Sequence, residues 1–326
     1  MSIDTARQEN DSFLAKRART ASNSENDVRI YEYSSAANPK LSTQPIAVHP
    51  ASLHETPGTR IIPFDLSEEM SIPHTATSPN LLAAFMRIDA KDSLPTDARA
   101  TSQAFYILRG EGSTTWEGCE ETVSWGKGDL FVLPASKKGV VHTALVDTAI
   151  YWVTDEPLLK YLGVSPCEEK FSVTHFTSER MLAEVERINH EPGAQHRNRM
   201  GILLGNKTTD DSTKTLTHTL WSLLNVLPAN QSQRPHRHNS VAIDLCVSSP
   251  SAGVYTLMGP ELKEDGWVKD PIKCMWASGS VFTTPPSWWH SHHNDTDEAA
   301  WVLPMQDAGL LTHQRTLNIQ FADSIP

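Results

Sequence analysis

The chain has 326 residues, of which 39% are hydrophobic and 21% charged, the composition of a globular protein with one large domain or two ordinary ones. The formal net charge of -11 argues against a nucleic-acid partner, because phosphate backbones bind basic surfaces. No apolar run approaches the roughly 18 residues of a membrane-spanning helix, and the first ten residues lack the apolar segment of a secretory signal. Four cysteines without C-x-x-C spacing predict reduced thiols and no disulfide framework. We therefore expect a cytoplasmic protein that is not bound to a membrane.

The first part of the chain divides into a polar arm and a β region. Residues 1–40 are polar and predict a mobile arm, with docking on a partner subunit as the alternative. Residues 41–156 contain short apolar runs separated by turns. The predicted strands are Leu81–Ile88, Ala104–Leu108 and Leu130–Leu133, because each is a run of bulky residues bounded by turn residues. We expect a first all-β domain here.

A helical connector is predicted in residues 157–195. Ser178 is the expected N-cap of a helix that runs from Glu179 to Asn189. Its apolar face consists of Met181, Leu182, Val185 and Ile188, at the spacing of one helix face. Short strands return in residues 196–326, which are expected to form a second all-β domain.

The two β regions repeat the same order of residues. Gly128–Pro134 is followed by His142 and then by a strand that contains tryptophan. Gly279–Pro285 is followed by His290 and then by another tryptophan-containing strand. Glycine, bulky strand, proline, histidine and tryptophan in one order indicate a duplicated domain. In this alignment His142 is the counterpart of His290.

Three histidines of the second region have the spacing of a metal site. His236 and His238 form an H-x-H pair in a strand-like stretch, and side chains at i and i+2 of a strand point to one face. His290 follows a predicted strand and turn, so a neighbouring strand can supply the third ligand. Three protein ligands leave coordination positions for substrate and oxygen, which a catalytic metal needs and a structural metal does not.

These motifs resemble those of a known superfamily. An H-x-H pair followed by G-x-x-x-x-x-P and a further histidine is similar to the two signature motifs of the cupins. The resemblance implies an all-β bicupin, with two jelly-roll barrels joined by a short helical connector. Within the cupins, the sequences His236–His238 and Trp289–His292 resemble the gentisate 1,2-dioxygenase and salicylate dioxygenase group. That group also lacks the usual cupin glutamate, which is absent here at Ala242 and Ile243, and binds ferrous iron with three histidines.

The resemblance implies a ring-cleaving dioxygenase that uses Fe(II), O2 and an aromatic or related hydroxy acid, with Mn, Ni or Zn as alternative metals. In that group the working metal usually lies in the N-terminal cupin. Here the first barrel has no H-x-H pair and keeps only His142, so we expect the site in residues 196–326. Bicupins often associate through their barrels, so we also expect a homo-oligomer.

Four further residues are candidates for the site. His292 follows His290 on the same strand face and could act as an acid–base group, the alternative being a structural histidine at the barrel rim. Arg234 has the same inward strand phase as His236 and His238 and could clamp a substrate carboxylate, the alternative being a surface ion pair. Trp288 could line the pocket or pack in the core. Asp244 is predicted to face inward and to need a partner, because an unpaired buried carboxylate is costly. It is a candidate for substrate binding, the alternatives being that it orients a ligand histidine or belongs to a turn.

Two other functions are compatible with the same motifs. One is a metal-dependent lyase, hydrolase or isomerase that uses the ion as a Lewis acid. The other is a binding bicupin without turnover, which the three retained histidines disfavour. Metal content and oxygen uptake separate these alternatives from a dioxygenase.

Overall fold

The computed structural model describes residues 27–119, 122–135, 138–194, 197–250 and 252–322. Most of the predicted arm therefore lies outside the described residues. The chain divides into two compact units, residues 1–41 and 42–326. The described part of the first unit is exposed and contains one helical turn, α1 (Tyr33–Ala36). In the described ranges, no helix is both long enough and apolar enough to cross a membrane.

The first half of the second unit consists of short strands and helical turns. Its elements are β1 (Val48–His49), α2 (Ser52–Glu55), β2 (Arg60–Pro63), α3 (Ser67–Met70), β3 (Leu82–Ile88), β4 (Ser93–Thr96), β5 (Ser102–Arg109), β6 (Glu111–Thr115), β7 (Val123–Gly126), β8 (Leu130–Pro134), β9 (Val140–Ala144) and β10 (Thr148–Thr154). The three strands predicted from apolar runs are confirmed as β3, β5 and β8, with ends that differ by one or two residues.

A connector and a second set of strands follow. The elements are α4 (Glu156–Leu162), β11 (Thr174–Phe176), α5 (Ser178–Asn189), β12 (Met200–Leu204), a 3-10 turn (Lys207–Thr209), β13 (Trp221–Leu227), β14 (Gln231–Ser232), β15 (His236–His238), β16 (Ala242–Ser248), β17 (Val254–Gly259), β18 (Ile272–Met275), β19 (Val281–Thr284), β20 (Trp289–Asn294), β21 (Ala300–Gln306), α6 (Ala308–Gln314) and β22 (Ile319–Phe321).

The connector helix α5 begins one residue earlier than predicted. Its N-cap is Thr177, which is extended (φ of -71° and ψ of 145°) and whose hydroxyl accepts a backbone N–H from the first turn. The prediction of Ser178 as the cap is therefore wrong, because Ser178 is already helical. Met181 and Val185 are buried, whereas Leu182 is 46% exposed. The buried face of the helix is thus narrower than the four-residue face that periodicity predicted.

Each half folds into two antiparallel sheets that enclose an apolar core. The first barrel has the strand orders β11-β8-β5-β10-β3-β2 and β4-β9-β6-β7, and the second has β1-β19-β16-β21-β13-β12 and β18-β17-β20-β15-β22. In the first barrel Phe105 and Phe131 of one sheet pack with Trp125 and Val140 of the other. Sheets that face each other across such a core form the jelly roll predicted for a bicupin.

Each barrel receives an edge strand from outside its own predicted range. β1 comes from the first half of the sequence but pairs with β19 of the second barrel, placing Val48 opposite Phe282. β11 comes from the connector and pairs with β8 of the first barrel. The Tyr151 hydroxyl also donates to the carbonyl of Ile243 across the two halves, at 3.1 Å. The sheets therefore cross the boundaries that the sequence predicts at residues 157 and 196.

A pair of buried aspartates shows the duplication and links the barrels. Asp155 precedes α4, and Asp307 holds the same place before α6. Each accepts backbone N–H groups from its own barrel. Asp155 also accepts from the Thr219 hydroxyl of the second barrel at 2.9 Å, and Asp307 from the Asn80 amide of the first at 2.7 Å. These reciprocal bonds give both carboxylates the partners that burial demands.

Candidate metal centre

The three predicted ligands converge on two neighbouring strands. β15 and β20 are antiparallel, and their pairing places His236 directly opposite His290. His238 lies two residues along β15, so its side chain shares the face of His236. Each of the three rings offers a nitrogen within 4.8 Å of the other two. In the described part of the chain, this is the single group of three histidine, cysteine, aspartate or glutamate residues that lie close enough to share an ion.

Hydrogen bonds orient two of these rings for metal binding. Nδ1–H of His238 donates to the carbonyl of Ser240 at 2.9 Å, and Nδ1–H of His290 donates to the carbonyl of Trp288 at 3.1 Å. A neutral ring that is protonated at Nδ1 keeps its lone pair at Nε2. Nε2 of His238 is buried and has no hydrogen-bond partner among the described residues. A buried lone pair without a partner is the kind of donor atom that a metal ion requires, so these residues fit a metal site.

Burial keeps these rings neutral, which metal binding also requires. It lowers the pKa of His238 to about 4, although the bond to Ser240 acts in the opposite direction. The pKa values of His236 and His290 are also held well below the usual value, first by burial and then by nearby positive groups.

Arg199, which the sequence analysis missed, contacts the third ring. It lies just before β12, and its guanidinium donates to Nδ1 of His236. If Nδ1 is the metal ligand, its lone pair cannot also accept from Arg199. If Nε2 is the ligand, Nδ1 carries the proton and cannot accept. Metal binding through His236 therefore requires Arg199 to turn away from the ring in either case.

The histidines line a cavity of about 240 Å³. Its walls are largely apolar, with Leu203, Trp221, Leu223, Val302, Pro304 and Phe321 among them. The polar groups are Arg199, Asn225, Asp244, Gln306 and the histidines. A mostly apolar cavity with a few polar groups is typical of a site for a small molecule.

Asp244 lies on β16 and lines this cavity, in agreement with its predicted inward direction. It is 4% exposed, and its Oδ2 accepts from the Thr284 hydroxyl at 2.6 Å. Burial raises the pKa of the Asp244 carboxyl to about 7, while the Thr284 bond and the charge of Arg199 oppose the rise. The hydrogen-bond partner that we expected for this buried carboxylate is therefore Thr284.

Arg234 and Trp288 are not brought to the cavity. The Arg234 guanidinium lies 4.8 Å from the centre of the Trp267 ring and donates to the carbonyl of Asp265. Its predicted inward direction assumed a continuous strand, but Arg234 lies between β14 and β15, where alternation does not apply. Trp288 packs against the apolar cluster that contains Phe282, and its carbonyl orients His290.

His292 lines the cavity and belongs to a buried hydrogen-bonded chain. It lies on β20, and its Nδ1 is 2.8 Å from the Thr256 hydroxyl oxygen. That oxygen also accepts from the indole N–H of Trp276 at 2.8 Å. All three side chains are buried.

The first barrel contains the same arrangement. Nδ1 of His142 is 2.8 Å from the Thr114 hydroxyl oxygen, which accepts from the indole N–H of Trp125 at 2.9 Å. His142 is therefore the counterpart of His292, and its predicted equivalence to His290 is wrong. Residue order along the chain cannot distinguish these two histidines, because they lie only two residues apart on one strand face.

His142 has a structural role in this barrel. It is fully buried, and its Nε2 is 3.1 Å from the Thr96 hydroxyl oxygen, so both ring nitrogens have partners. Burial lowers its pKa to about 3 and keeps the ring neutral. Thr96 lies opposite Val140, the position that corresponds to the pairing of His236 with His290. In the first barrel, Thr96 thus occupies the position that the proposed ligand His236 has in the second barrel.

The chain thus folds into two jelly-roll barrels of the cupin type, and the second barrel holds a three-histidine cluster. No protein-family model matches the chain. A variant of the salicylate 1,2-dioxygenase from Pseudoaminobacter salicylatoxidans in complex with gentisate is similar, with a TM-score of 0.67 and 16% identity over 95% of this chain and 96% of that chain. The same dioxygenase in adducts with gentisate has a TM-score of 0.68 and 14% identity over 95% and 94%. These likenesses confirm the predicted fold.

A curated relative is similar over a shorter segment. The 5-aminosalicylate 1,2-dioxygenase of Comamonas sp is 27% identical over 88 residues. The match spans 27% of this chain and 23% of that relative, so it covers less than one of the two barrels.

Proposed function

We propose that this protein is a ring-cleaving dioxygenase in which His236, His238 and His290 hold Fe(II) in the second barrel. The observation that carries the proposal is the convergence of three neutral imidazoles on the wall of a small apolar cavity, each offering a ring nitrogen within 4.8 Å of the other two. Ferrous iron bound by three protein ligands has open positions and supplies the redox chemistry that activates O2. Both oxygen atoms would enter the acid that is formed when a ring C–C bond breaks.

The cavity supports a single-ring acid as the substrate. An apolar cavity of about 150 Å³ accommodates benzene, so a cavity of about 240 Å³ has room for one ring with small substituents. Gentisate is bound in the similar salicylate dioxygenase structures, and the curated relative is named for 5-aminosalicylate. We therefore propose a hydroxylated benzoic acid as the substrate class.

Arg199 is the proposed partner of the substrate carboxylate. It is the single lysine or arginine among the described residues that line the cavity. Burial lowers its pKa to about 9, so the guanidinium is charged at neutral pH. Because metal binding releases the Nη2 group of Arg199 from His236, that group becomes available to donate to a carboxylate. This function replaces the clamp that the sequence analysis assigned to Arg234.

Two further side chains would complete substrate recognition. Asp244 is the proposed acceptor for a ring hydroxyl or amino group, because its Oδ2 is held by Thr284 and the residue lines the cavity. His292 is the proposed proton donor or acceptor toward a substrate oxygen. Trp288 would act indirectly, since its carbonyl fixes the orientation of His290.

The test begins with protein purified without oxygen and loaded with Fe(II). We expect one iron per chain, and oxygen uptake on addition of gentisate, salicylate or 5-aminosalicylate, with a ring-opened product by mass spectrometry. Bound metal without oxygen uptake for any of these acids would favour a lyase, hydrolase or isomerase. A chain that binds neither Fe(II) nor another transition metal would contradict any metal-dependent function.

A further inference from the structure

We infer that Thr256 is a positioning residue that holds His292 in the tautomer whose Nε2–H faces the substrate cavity. The inference rests on the proposed function, because it specifies how His292 would meet an oxygen atom of a bound acid. It concerns an interaction behind His292 and not a contact between Thr256 and substrate.

The hydrogen-bond partners of Thr256 determine where the ring proton lies. The indole N–H of Trp276 can only donate, so the Thr256 oxygen accepts from it. Thr256 is fully buried, and its own hydroxyl hydrogen needs an acceptor. Nδ1 of His292, at 2.8 Å, provides that acceptor. A neutral ring that accepts at Nδ1 carries its proton at Nε2.

The first barrel provides an internal comparison for this assignment. His142 has the same hydroxyl and indole behind its Nδ1, at distances that agree within 0.1 Å. Its Nε2–H then donates to the Thr96 hydroxyl oxygen at 3.1 Å. Both nitrogens of this ring are therefore satisfied by one tautomer, the one inferred for His292.

The same comparison indicates where the Nε2–H of His292 is directed. In the first barrel the acceptor is Thr96, and the equivalent strand position in the second barrel is the proposed ligand His236. The rings of His292 and His236 have centres 6.4 Å apart and line one cavity. An oxygen atom of a substrate bound beside His236 could then take the place of the Thr96 oxygen. Without the Thr256 hydroxyl, His292 could place its proton on Nδ1 and offer a lone pair to that oxygen instead.

The inference is tested with Thr256→Val, Thr256→Ser and the matched control Thr114→Val. Thr114→Val removes the same hydroxyl from the same chain of hydrogen bonds in the barrel without the histidine cluster. The tautomer of His292 is read from the 15N chemical shifts of its ring in the zinc-loaded protein, where no paramagnetic ion broadens the signals. Activity is read as kcat and KM for oxygen uptake with gentisate.

We expect Nε2–H in the wild type and in Thr256→Ser, and a loss of that tautomer in Thr256→Val. For Thr256→Val, kcat should fall on the order of tenfold, because the proton donor at Nε2 of His292 is lost. KM should stay within about twofold of the wild-type value, because substrate binding is not lost. Thr114→Val should lower the melting temperature about as much as Thr256→Val does, and it should leave kcat unchanged.

A wild-type His292 protonated at Nδ1 would overturn the inference, as would equal losses of kcat in Thr256→Val and Thr114→Val. If the wild type consumes no oxygen with any of the acids, the proposed function fails. The 15N measurement then decides the positioning role by itself.

Discussion

Replacing His142 and His238 one at a time should separate a structural histidine from a metal ligand. In His142→Ala, two threonine hydroxyls lose their partners, at about 1 kcal/mol each. The missing ring also leaves a cavity beside Phe105, whose ring centre is 4.8 Å away, at about 2 kcal/mol more. The expected loss of unfolding free energy is therefore about 4 kcal/mol, or roughly 6 °C in melting temperature for a chain of this length.

His238→Ala should cost less stability than His142→Ala but should abolish iron binding. The metal-free protein loses one hydrogen bond to Ser240, while a buried nitrogen without a partner is also removed. The expected loss of stability is about 1 kcal/mol. Because one of three ligands is missing, this variant should not retain iron, whereas His142→Ala should bind one iron per chain.

Calorimetry of the metal-free variants and mass-spectrometric metal analysis after anaerobic loading measure both effects. Loss of iron in both variants would refute the assignment of the metal to the second barrel. Iron retained with undiminished affinity in His238→Ala would refute the ligand set.

Three other outcomes are expected. The pKa of His142 is lowered to about 3, so the unfolded chain binds its proton first, and stability falls as pH drops from 6.5 towards 3. Between pH 7 and pH 4 this loss is about 3 kcal/mol, and it should be missing from His142→Leu when unfolding free energies are measured by denaturant titration. An equal dependence of unfolding free energy on pH in the wild type and in His142→Leu would contradict it. Arg199→Met should raise the KM for gentisate about 10- to 100-fold, and an unchanged KM would exclude the carboxylate role. Gly201→Ala should destabilise the chain by about 1–3 kcal/mol in thermal unfolding, because a Cβ there would lie 2.6 Å from the Leu224 carbonyl oxygen; a wild-type melting temperature would show that β12 can shift.

The sequence determined the architecture because its information is local. Apolar runs bounded by turns located β3, β5 and β8, and the repeated order of glycine, proline and histidine indicated the duplication. The H-x-H spacing placed His236 and His238 on one strand face, and the geometry of a β-strand leaves no other arrangement for two such residues. The strand and turn before His290 indicated that a neighbouring strand would supply it, and it lies directly opposite His236.

Only the tertiary structure decided which side chains surround those histidines. Arg199 reaches His236 from the start of a strand that is distant in sequence, and no spacing rule relates the two. Arg234 was misplaced because strand alternation was extended across the break between β14 and β15. The equivalence of His142 and His292 became visible through their threonine and tryptophan partners, which other strands supply. Periodicity depends on neighbouring residues, but the contents of a cavity depend on how distant strands pack, and one chain cannot reveal that packing without its coordinates.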